Sequence, residues 1–261
     1  MSANDAKKKI LMIATGGTIA SKRSADGLTP VLTSDELLSY VPDIKKFCEP
    51  TTVQAMNIDS TNISVAAWLK IENIIEENYD FYDGFVICHG TDTMAYTAAA
   101  LSYLVQSSPK PIVITGSQKP IDMEITDAKT NLTDSFRYCA SNYAIGVQIV
   151  FNGKVINRTR AKKTRTKSYN AFSSINYPYI AIIQDGKIMQ YDKTGRRGKP
   201  KFYRALDKDV GLFKLIPEAD PRILDKYFEL NDAVIIESFG TGGIPSGEGF
   251  GFYDVIAKWR K

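Results

Sequence analysis

The amino-acid sequence predicts an α/β fold: a doubly wound, largely parallel sheet with helices on both faces, followed by a smaller C-terminal α/β domain. Strand-like and helix-like segments alternate along the first half of the 261 residues. The strand-like segments are continuously apolar, as in strands that are buried on both faces. Short polar or glycine-rich turns follow these strands, and in a parallel sheet such turns gather at the carboxyl edge, where ligands bind.

Four predicted strand–helix pairs make up the first half of the chain. Each strand is a short apolar run, and the helices show apolar periodicity or capping signals at their first turn. The first helix carries a clear cap, because Thr33 and Glu36 have the spacing of a capping box. In chain order, the predicted strands span 9–15, 52–58, 84–90 and 111–117, and the predicted helices begin at 33, 64, 94 and 127.

The pattern changes after residue 147. Two strands joined by Asn152-Gly153 are predicted there, because this dipeptide favours a tight hairpin turn. A polar, glycine-rich stretch then precedes a second β/α unit. We therefore expect an N-terminal catalytic α/β domain of residues 1–190, a linker of 191–210 and a C-terminal α/β domain of 211–261. The last domain is short, and the chain stops inside an amphipathic helix, so we expect this domain to be incomplete.

Composition argues against several classes of protein. The net charge is +4, and neither basic cluster (158–167 and 193–201) has interleaved aromatic residues or a helix-turn-helix pattern, so no nucleic-acid partner is expected. No apolar run approaches the ~20 residues that span a bilayer, and the N-terminus lacks the apolar stretch of a signal peptide. Three scattered cysteines make a poor disulfide framework. We predict a cytoplasmic protein that does not bind membranes.

The single histidine, His89, restricts the chemistry that is available. One histidine excludes a zinc site with paired histidines, and it leaves one possible imidazole base. A hydroxyl nucleophile elsewhere would then be activated by a lysine and a carboxylate. The turns offer Thr18 after a glycine pair, and Thr91 beside Asp92; Lys163 lies in the first basic cluster. Backbone N–H groups of such glycine-rich turns suit the stabilisation of an oxyanion. The glycines concerned are Gly17 and Gly90.

Other roles remain open for these residues at this point. Thr18, Asp92 and Thr93 can each cap the helix that follows. Lys163 can be a solvated cation, and Asp59 with Ser60 can form a turn. The glycine-rich turns can also hold phosphate at helix N-termini, although no Walker sequence or GxGxxG is present.

Two longer motifs are much more specific. TGGTIAS (15–21) and HGTDTMAYTA (89–98) resemble the two signature stretches of the asparaginase family in order and separation. MNIDSTN, PIVITGSQ, TDAKTNLTDSF and RTRAKKTRTKSYNAFSSINYPYI are also similar to the bacterial type I members. The resemblance runs from about Ile10 to the C-terminus. It implies the family fold and hydrolysis of L-asparagine to L-aspartate and ammonia by a cytoplasmic enzyme, without a metal or an organic cofactor.

The resemblance also implies roles for particular residues. Thr18 matches the threonine that becomes acylated, while Thr91, Asp92 and Lys163 match the second catalytic group. Ser60, with Asp59, matches the residues that hold the substrate α-carboxylate, and Asp92 would also receive the α-ammonium group. Family members assemble as homodimers or homotetramers, and their active sites borrow residues from a neighbouring subunit's smaller domain. In this chain, the segment around Thr241 would be the part of the smaller domain that contributes to a neighbouring subunit's active site.

One position departs from the family pattern. Many members carry a tyrosine in the loop after TGGTI, and Leu28 stands at its place in this chain. We also weigh a non-catalytic amino-acid-binding domain, a glutaminase and a transamidation subunit. The last usually has an extra N-terminal domain, whereas about nine residues precede the first predicted strand here.

Overall fold

A computed structural model describes residues 6–24, 27–192, 198–247 and 249–260, and for residues 23, 24, 27 and 28 it describes the backbone alone. The side chain of Leu28 and the basic residues at 193–197 therefore lie outside the described part. The α-helices are α1 (Ser34–Ser39), α2 (Val65–Asn78), α3 (Met94–Leu104), α4 (Ala128–Ala140), α5 (Pro221–Leu230) and α6 (Phe252–Trp259). The strands are β1 (Lys8–Gly16), β2 (Ser21–Ser24), β3 (Gly27–Pro30), β4 (Cys48–Ile58), β5 (Gly84–Cys88), β6 (Val105–Gln106), β7 (Pro111–Thr115), β8 (Gly146–Phe151), β9 (Lys154–Asn157), β10 (Ala161–Lys163), β11 (Phe172–Ser174), β12 (Ala181–Gln184), β13 (Lys187–Gln190), β14 (Lys201–Phe202), β15 (Val210–Lys214) and β16 (Ala233–Glu237).

A central sheet confirms the predicted α/β fold. Its strand order is β13-β12-β9-β8-β7-β5-β1-β4. The neighbours from β4 to β8 pair in parallel, and those from β8 to β13 pair in antiparallel orientation. β5 and β7 are buried along their whole length, because α3 and α4 cover the sheet. Met12, Val86 and Val113 share one buried cluster with Leu132 and Phe136 of α4.

The order of the parallel strands determines where a ligand crevice lies. β4 is placed on one side of β1, and the next strand of the sheet, β5, is placed on the other side. The chain therefore reverses its direction of winding at β1. In sheets of this kind the crevice opens at the carboxyl ends of the two strands beside the reversal. Here these are the ends of β1 and β5, which carry the two signature motifs.

Two local predictions are confirmed atom by atom. The Thr33 hydroxyl accepts a hydrogen bond from the Glu36 N–H at 3.2 Å, and the Glu36 carboxylate accepts one from the Thr33 N–H at 2.7 Å. Asn152 and Gly153 both adopt left-handed backbone angles, with φ of 49° and 68°, between the paired residues Phe151 and Lys154. Such a pair of left-handed residues closes a two-residue hairpin. The three cysteines are free and buried, as expected.

The chain divides into two compact units, one ending at Ala205 and the other beginning at Leu206. This boundary falls within the segment 191–210 that the sequence analysis assigns to a linker. The second unit contains the parallel pair of β15 and β16 together with α5 and α6. The buried hydrophobic cluster of this unit consists of Phe213, Leu215, Leu224 and Phe252. None of the helices in the described ranges combines the length and the apolar character that crossing a membrane requires.

Candidate active site

The turns after β1 and β5 touch through two glycines. A Cβ atom added to Gly17 would lie 2.4 Å from the Cα atom of Gly90, which is closer than real Cβ contacts allow. Gly17 also has φ of 77°, a left-handed conformation that side chains disfavour. Its N–H donates to the carbonyl of Ile58 at 3.0 Å, which ties the turn to the end of β4. The two signature motifs therefore meet at the crevice that the strand order defines.

The turn after β4 joins the same place. A Cβ atom added to Gly90 would lie 2.6 Å from the Oγ atom of Ser60, which is itself buried. Thr93 donates its hydroxyl hydrogen to the Ser60 carbonyl at 2.7 Å, so this turn is fixed to the start of α3. Asp59 is exposed, and its Oδ1 atom accepts hydrogen bonds at 2.8 Å from both the N–H and the hydroxyl of Thr61. The carboxylate of Asp59 thus stabilises the turn in which Ser60 lies.

Lys163 lies beside Thr91 and Asp92. Its Nζ atom donates to Thr91 Oγ1 at 2.8 Å and to Asp92 Oδ1 at 2.7 Å. The Lys163 side chain is only 15% exposed, and Thr91 is buried. Lys163 ends β10, which pairs with β11, and this hairpin carries the lysine across 72 residues of sequence to the threonine. The alternative of a freely solvated lysine is therefore wrong.

Thr18 follows Gly17 directly and is half-buried. It begins a short 3₁₀ turn, Thr18–Ala20, at which no side chain caps the helical N–H groups. Thr93 occupies the N-cap position of α3, yet its hydroxyl bonds the Ser60 carbonyl instead of the helix. Within the described part of the chain, the Thr18 hydroxyl has no hydrogen-bond partner. Helix capping therefore does not explain Thr18 or Thr93.

His89 is buried and has both ring nitrogens engaged. Nδ1 lies 2.7 Å from the Gly90 carbonyl, which can only accept, so Nδ1 carries the hydrogen. Nε2 accepts from the Thr97 hydroxyl at 2.9 Å, and the Trp68 indole N–H donates to that hydroxyl oxygen at 2.9 Å. Burial lowers the pKa of His89 to about 4. The single imidazole is thus neutral near pH 7 and supports the Gly90 turn, a role that the sequence did not reveal.

Gln118 is a second residue that the sequence analysis did not single out. It follows β7, and its side-chain oxygen lies 3.3 Å from Thr91 Oγ1. The PIVITGSQ motif was the available signal, but its role depends on a tertiary contact. Among the described residues, the three carboxylates close enough to share a cation are exposed and belong to the second unit, and none of them is a candidate residue; they are Asp207, Asp209 and Asp232.

Comparison with known proteins agrees with these motifs. The family pattern described as "Asparaginase, N-terminal" matches residues 9–195. An L-asparaginase of Thermococcus kodakarensis is 36% identical over 239 residues, covering 91% of this chain and 73% of that protein. L-asparaginase 1 of Escherichia coli K12 is 32% identical, covering 94% and 74%. A glutamyl-tRNA(Gln) amidotransferase component of Methanosphaera stadtmanae is 34% identical, covering 92% of this chain but 58% of that protein.

Solved structures give the same relationship. The thermostable L-asparaginase from Thermococcus kodakarensis superposes with a TM-score of 0.89 at 35% identity, covering 96% of this chain and 76% of that one. A probable cytoplasmic L-asparaginase from Campylobacter jejuni superposes with a TM-score of 0.81 at 26% identity, covering 97% and 79%. Since the family pattern spans most of the chain and relatives above 30% identity share nearly all of it, the chain belongs to the asparaginase family.

Proposed function

We propose that this chain hydrolyses the side-chain amide of L-asparagine to L-aspartate and ammonia, as an enzyme of the bacterial type I kind. The observation that supports this most is the hydrogen bonding of Lys163 Nζ to both Thr91 Oγ1 and Asp92 Oδ1. A lysine that shares a site with a hydroxyl and a carboxylate supplies the base that a chain without an available imidazole needs. The family membership supports the same reaction.

In the proposed course, the Thr18 hydroxyl adds to the side-chain carbonyl of the substrate, and its proton passes to the Thr91–Lys163 pair. The amide nitrogen takes up a proton and leaves as ammonia, so an ester to Thr18 remains. Water then adds to this ester, gives up its proton and releases aspartate, which restores the threonine hydroxyl. Backbone N–H groups near Gly17 and Gly90 are suited to stabilise the oxyanion in both steps.

Substrate orientation is assigned to Ser60 and Asp92. The buried Ser60 hydroxyl would donate to the α-carboxylate, and the Asp92 carboxylate would accept from the α-ammonium group. Asp59 is a poor direct partner for a carboxylate, because like charges repel and its Oδ1 atom is engaged by Thr61. We therefore assign Asp59 the task of shaping the turn that presents Ser60.

The test is ammonia release from L-asparagine and L-glutamine by the purified chain and by the Thr91→Val variant. Valine keeps the shape of threonine but cannot exchange a proton with Lys163, so we expect turnover to fall by about 10²-fold or more. Thr51→Val is the matched control, since Thr51 is an exposed residue of β4. Full activity in Thr91→Val would reject this assignment. Aspartate binding without any hydrolysis by the unaltered chain would favour a non-catalytic amino-acid-binding domain.

The ratio of the two substrates addresses the remaining alternatives. One methylene separates glutamine from asparagine, and it is worth only ~1–3 kcal/mol of discrimination. Faster ammonia release from glutamine would favour a glutaminase or an amidotransferase-type amidase. We further propose a cytoplasmic location, in line with the probable cytoplasmic L-asparaginase of Campylobacter jejuni, and assembly as a homodimer or homotetramer, which the family resemblance implies. Light scattering on the eluting protein would detect a monomer and so exclude that assembly.

A further inference from the structure

Gln118 connects Thr91 to the tip of the hairpin that carries Lys163. Its Nε2 atom donates to the backbone carbonyls of Thr166 and Ser168 at 3.0 and 3.1 Å. Carbonyl oxygens only accept hydrogen bonds, so the amide orientation follows from these two contacts. The Oε1 atom then faces Thr91 Oγ1 at 3.3 Å as an acceptor. Gln118 therefore contacts the threonine with one end of its amide and the lysine hairpin with the other.

This arrangement determines how the Thr91 hydroxyl is oriented. An amide oxygen cannot donate, so the hydroxyl hydrogen points to Gln118. A lone pair of the same oxygen then receives the hydrogen bond from Lys163 Nζ at 2.8 Å. Thr91 is thus held between an acceptor and a donor, which selects one side-chain rotamer. When the lysine is neutral, the hydroxyl hydrogen has only to rotate toward Nζ for the proton transfer to begin.

The hairpin is anchored at its tip as well as at its base. β10 and β11 form a two-stranded sheet of their own, outside the central sheet. Its base is packed on the central sheet, because the buried Phe172 of β11 contacts Phe151 of β8. The tip residues Thr166 and Ser168 are exposed, so the two hydrogen bonds from Gln118 attach a solvent-facing loop to the protein. Since Lys163 lies on this hairpin, the anchor also influences the separation between Nζ and the threonine.

Gln118 is in turn fixed by the start of α4. Its backbone N–H donates to the carboxylate of Asp127 at 2.9 Å. Asn131 donates its side-chain N–H to that carboxylate at 3.1 Å and to the Gly116 carbonyl at 2.9 Å. Asp127 and Asn131 are both buried. A buried, satisfied network of this kind gives the turn after β7 a defined geometry.

We propose that Gln118 is the positioning residue of the threonine–lysine pair: it orients the Thr91 hydroxyl and fastens the Lys163 hairpin next to it. This inference rests on the proposed function. Neither Thr91 nor Lys163 fixes the loop at 166–168. Gln118 does so, and it thereby sets the geometry in which the two residues exchange a proton.

The experiment compares Gln118→Met, Gln118→Glu and the control Gln184→Met, an exposed glutamine at the end of β12. Methionine keeps the length but removes both hydrogen-bonding ends, so we expect kcat to fall about tenfold to a hundredfold while KM changes less than about threefold. Glutamate keeps an acceptor oxygen toward Thr91. Its other oxygen, when ionised, cannot donate to the carbonyls of Thr166 and Ser168 and is repelled by them. Protonation restores a donor to them, so its activity relative to the unaltered chain should rise as the pH is lowered from about 8 to about 5.

Kinetic constants of Gln118→Met within about twofold of those of the unaltered chain would overturn the proposal, as would a Gln118→Glu activity ratio that does not change with pH. An unaltered chain that releases no ammonia would instead reject the proposed function. In that case crystal structures of the unaltered chain and Gln118→Met decide the positioning role. It predicts a longer distance between Thr91 Oγ1 and Lys163 Nζ in the variant, and an unchanged distance rejects it.

Discussion

Lys162, the neighbour of Lys163, allows the specific contacts of Lys163 to be distinguished from the effect of its positive charge. Lys162 precedes it on β10 and is exposed, whereas Lys163 is turned toward Thr91 and Asp92. Successive side chains of a strand point to opposite faces, so the two lysines share their backbone surroundings but differ in their contacts. Substitution of each in turn therefore distinguishes local chemistry from net charge.

We expect Lys163→Met to lower asparagine turnover by about 10²–10⁴-fold, because the proposed base for the threonine hydroxyl is lost. Lys162→Met changes the net charge by the same amount and should stay within a few-fold of the unaltered chain. Unfolding in urea should differ by no more than about 1–2 kcal/mol between the two variants, because methionine keeps the apolar stem of Lys163, which is 15% exposed, and Asp92, which is 55% exposed, stays solvated. Equal activity losses in both variants would mean that charge, rather than the contact with Thr91, matters.

The site residues differ in how far the sequence predicts them. Thr91 and Asp92 are adjacent, and the turn after an apolar strand indicates where they lie. Lys163 and Gln118 are harder to predict. In the sequence, a lysine among six cations or a glutamine after a strand shows no feature that depends on whether it contacts Thr91. Only the folded hairpin and the turn after β7 bring them there. Family resemblance identified Lys163, but it did not indicate Gln118.

Helices and strands were predictable where a local interaction decides them. The capping box of Thr33 and the left-handed pair Asn152-Gly153 act within a few residues, so their sequence signals suffice. The helix predicted to begin at 94 ends at Leu104, where Val105 and Gln106 leave the helix and pair with Phe202 and Lys201 from a distant part of the chain. Partners that remote leave no periodic pattern in either segment.

Helix α2 contains a buried acid that no mechanism requires. Glu72 is 1% exposed, and its Oε1 atom has no hydrogen-bond partner within the described ranges. Burial raises the pKa of Glu72 to about 7, and the negative charge of Glu76 adds to this effect, while Arg204 opposes it. Arg204 pairs with Glu76 through hydrogen bonds of 2.8 and 2.9 Å. The carboxyl group of Glu72 is therefore held mostly neutral below pH 7.

This shift in the pKa of Glu72 makes the free energy of unfolding of the protein depend on pH. The unfolded chain releases the Glu72 proton near pH 4.5, but the folded chain retains it until about pH 7. Between these values the folded state binds more protons, so rising pH lowers the free energy of unfolding. Glu72→Gln removes the titration and should gain about 1–3 kcal/mol over the unaltered chain between pH 4 and pH 8. Urea unfolding across this range measures the gain.

Glu77→Gln is the matched control, because Glu77 is exposed on the same helix. Its difference from the unaltered chain should vary little with pH. A Glu72→Gln difference that is equally flat would show that the folded and unfolded chains titrate alike at Glu72.

The two compact units differ in what they contain. The unit ending at Ala205 holds the eight-stranded sheet, its covering helices and the hydrogen-bonded group of Thr91, Asp92 and Lys163. In the unit beginning at Leu206, the described residues form one pair of strands, on which α5 packs. Leu212 and Ile235 of these strands are 57% and 59% exposed. The second unit therefore buries less apolar surface to offset the conformational entropy that folding costs.

We expect a protein shortened to end at Ala205 to unfold in one cooperative transition, whereas the isolated segment from Leu206 onward should lack one. In the described part of this segment the core consists of four buried apolar side chains and partly buried neighbours, which is too small to offset the entropy of ordering the backbone, at ~1–2 kcal/mol per residue. Calorimetry and near-ultraviolet circular dichroism on both fragments, beside the whole chain, measure the transitions. A sharp transition in the isolated second segment would contradict this expectation, because its strand pair would then fold without the larger sheet.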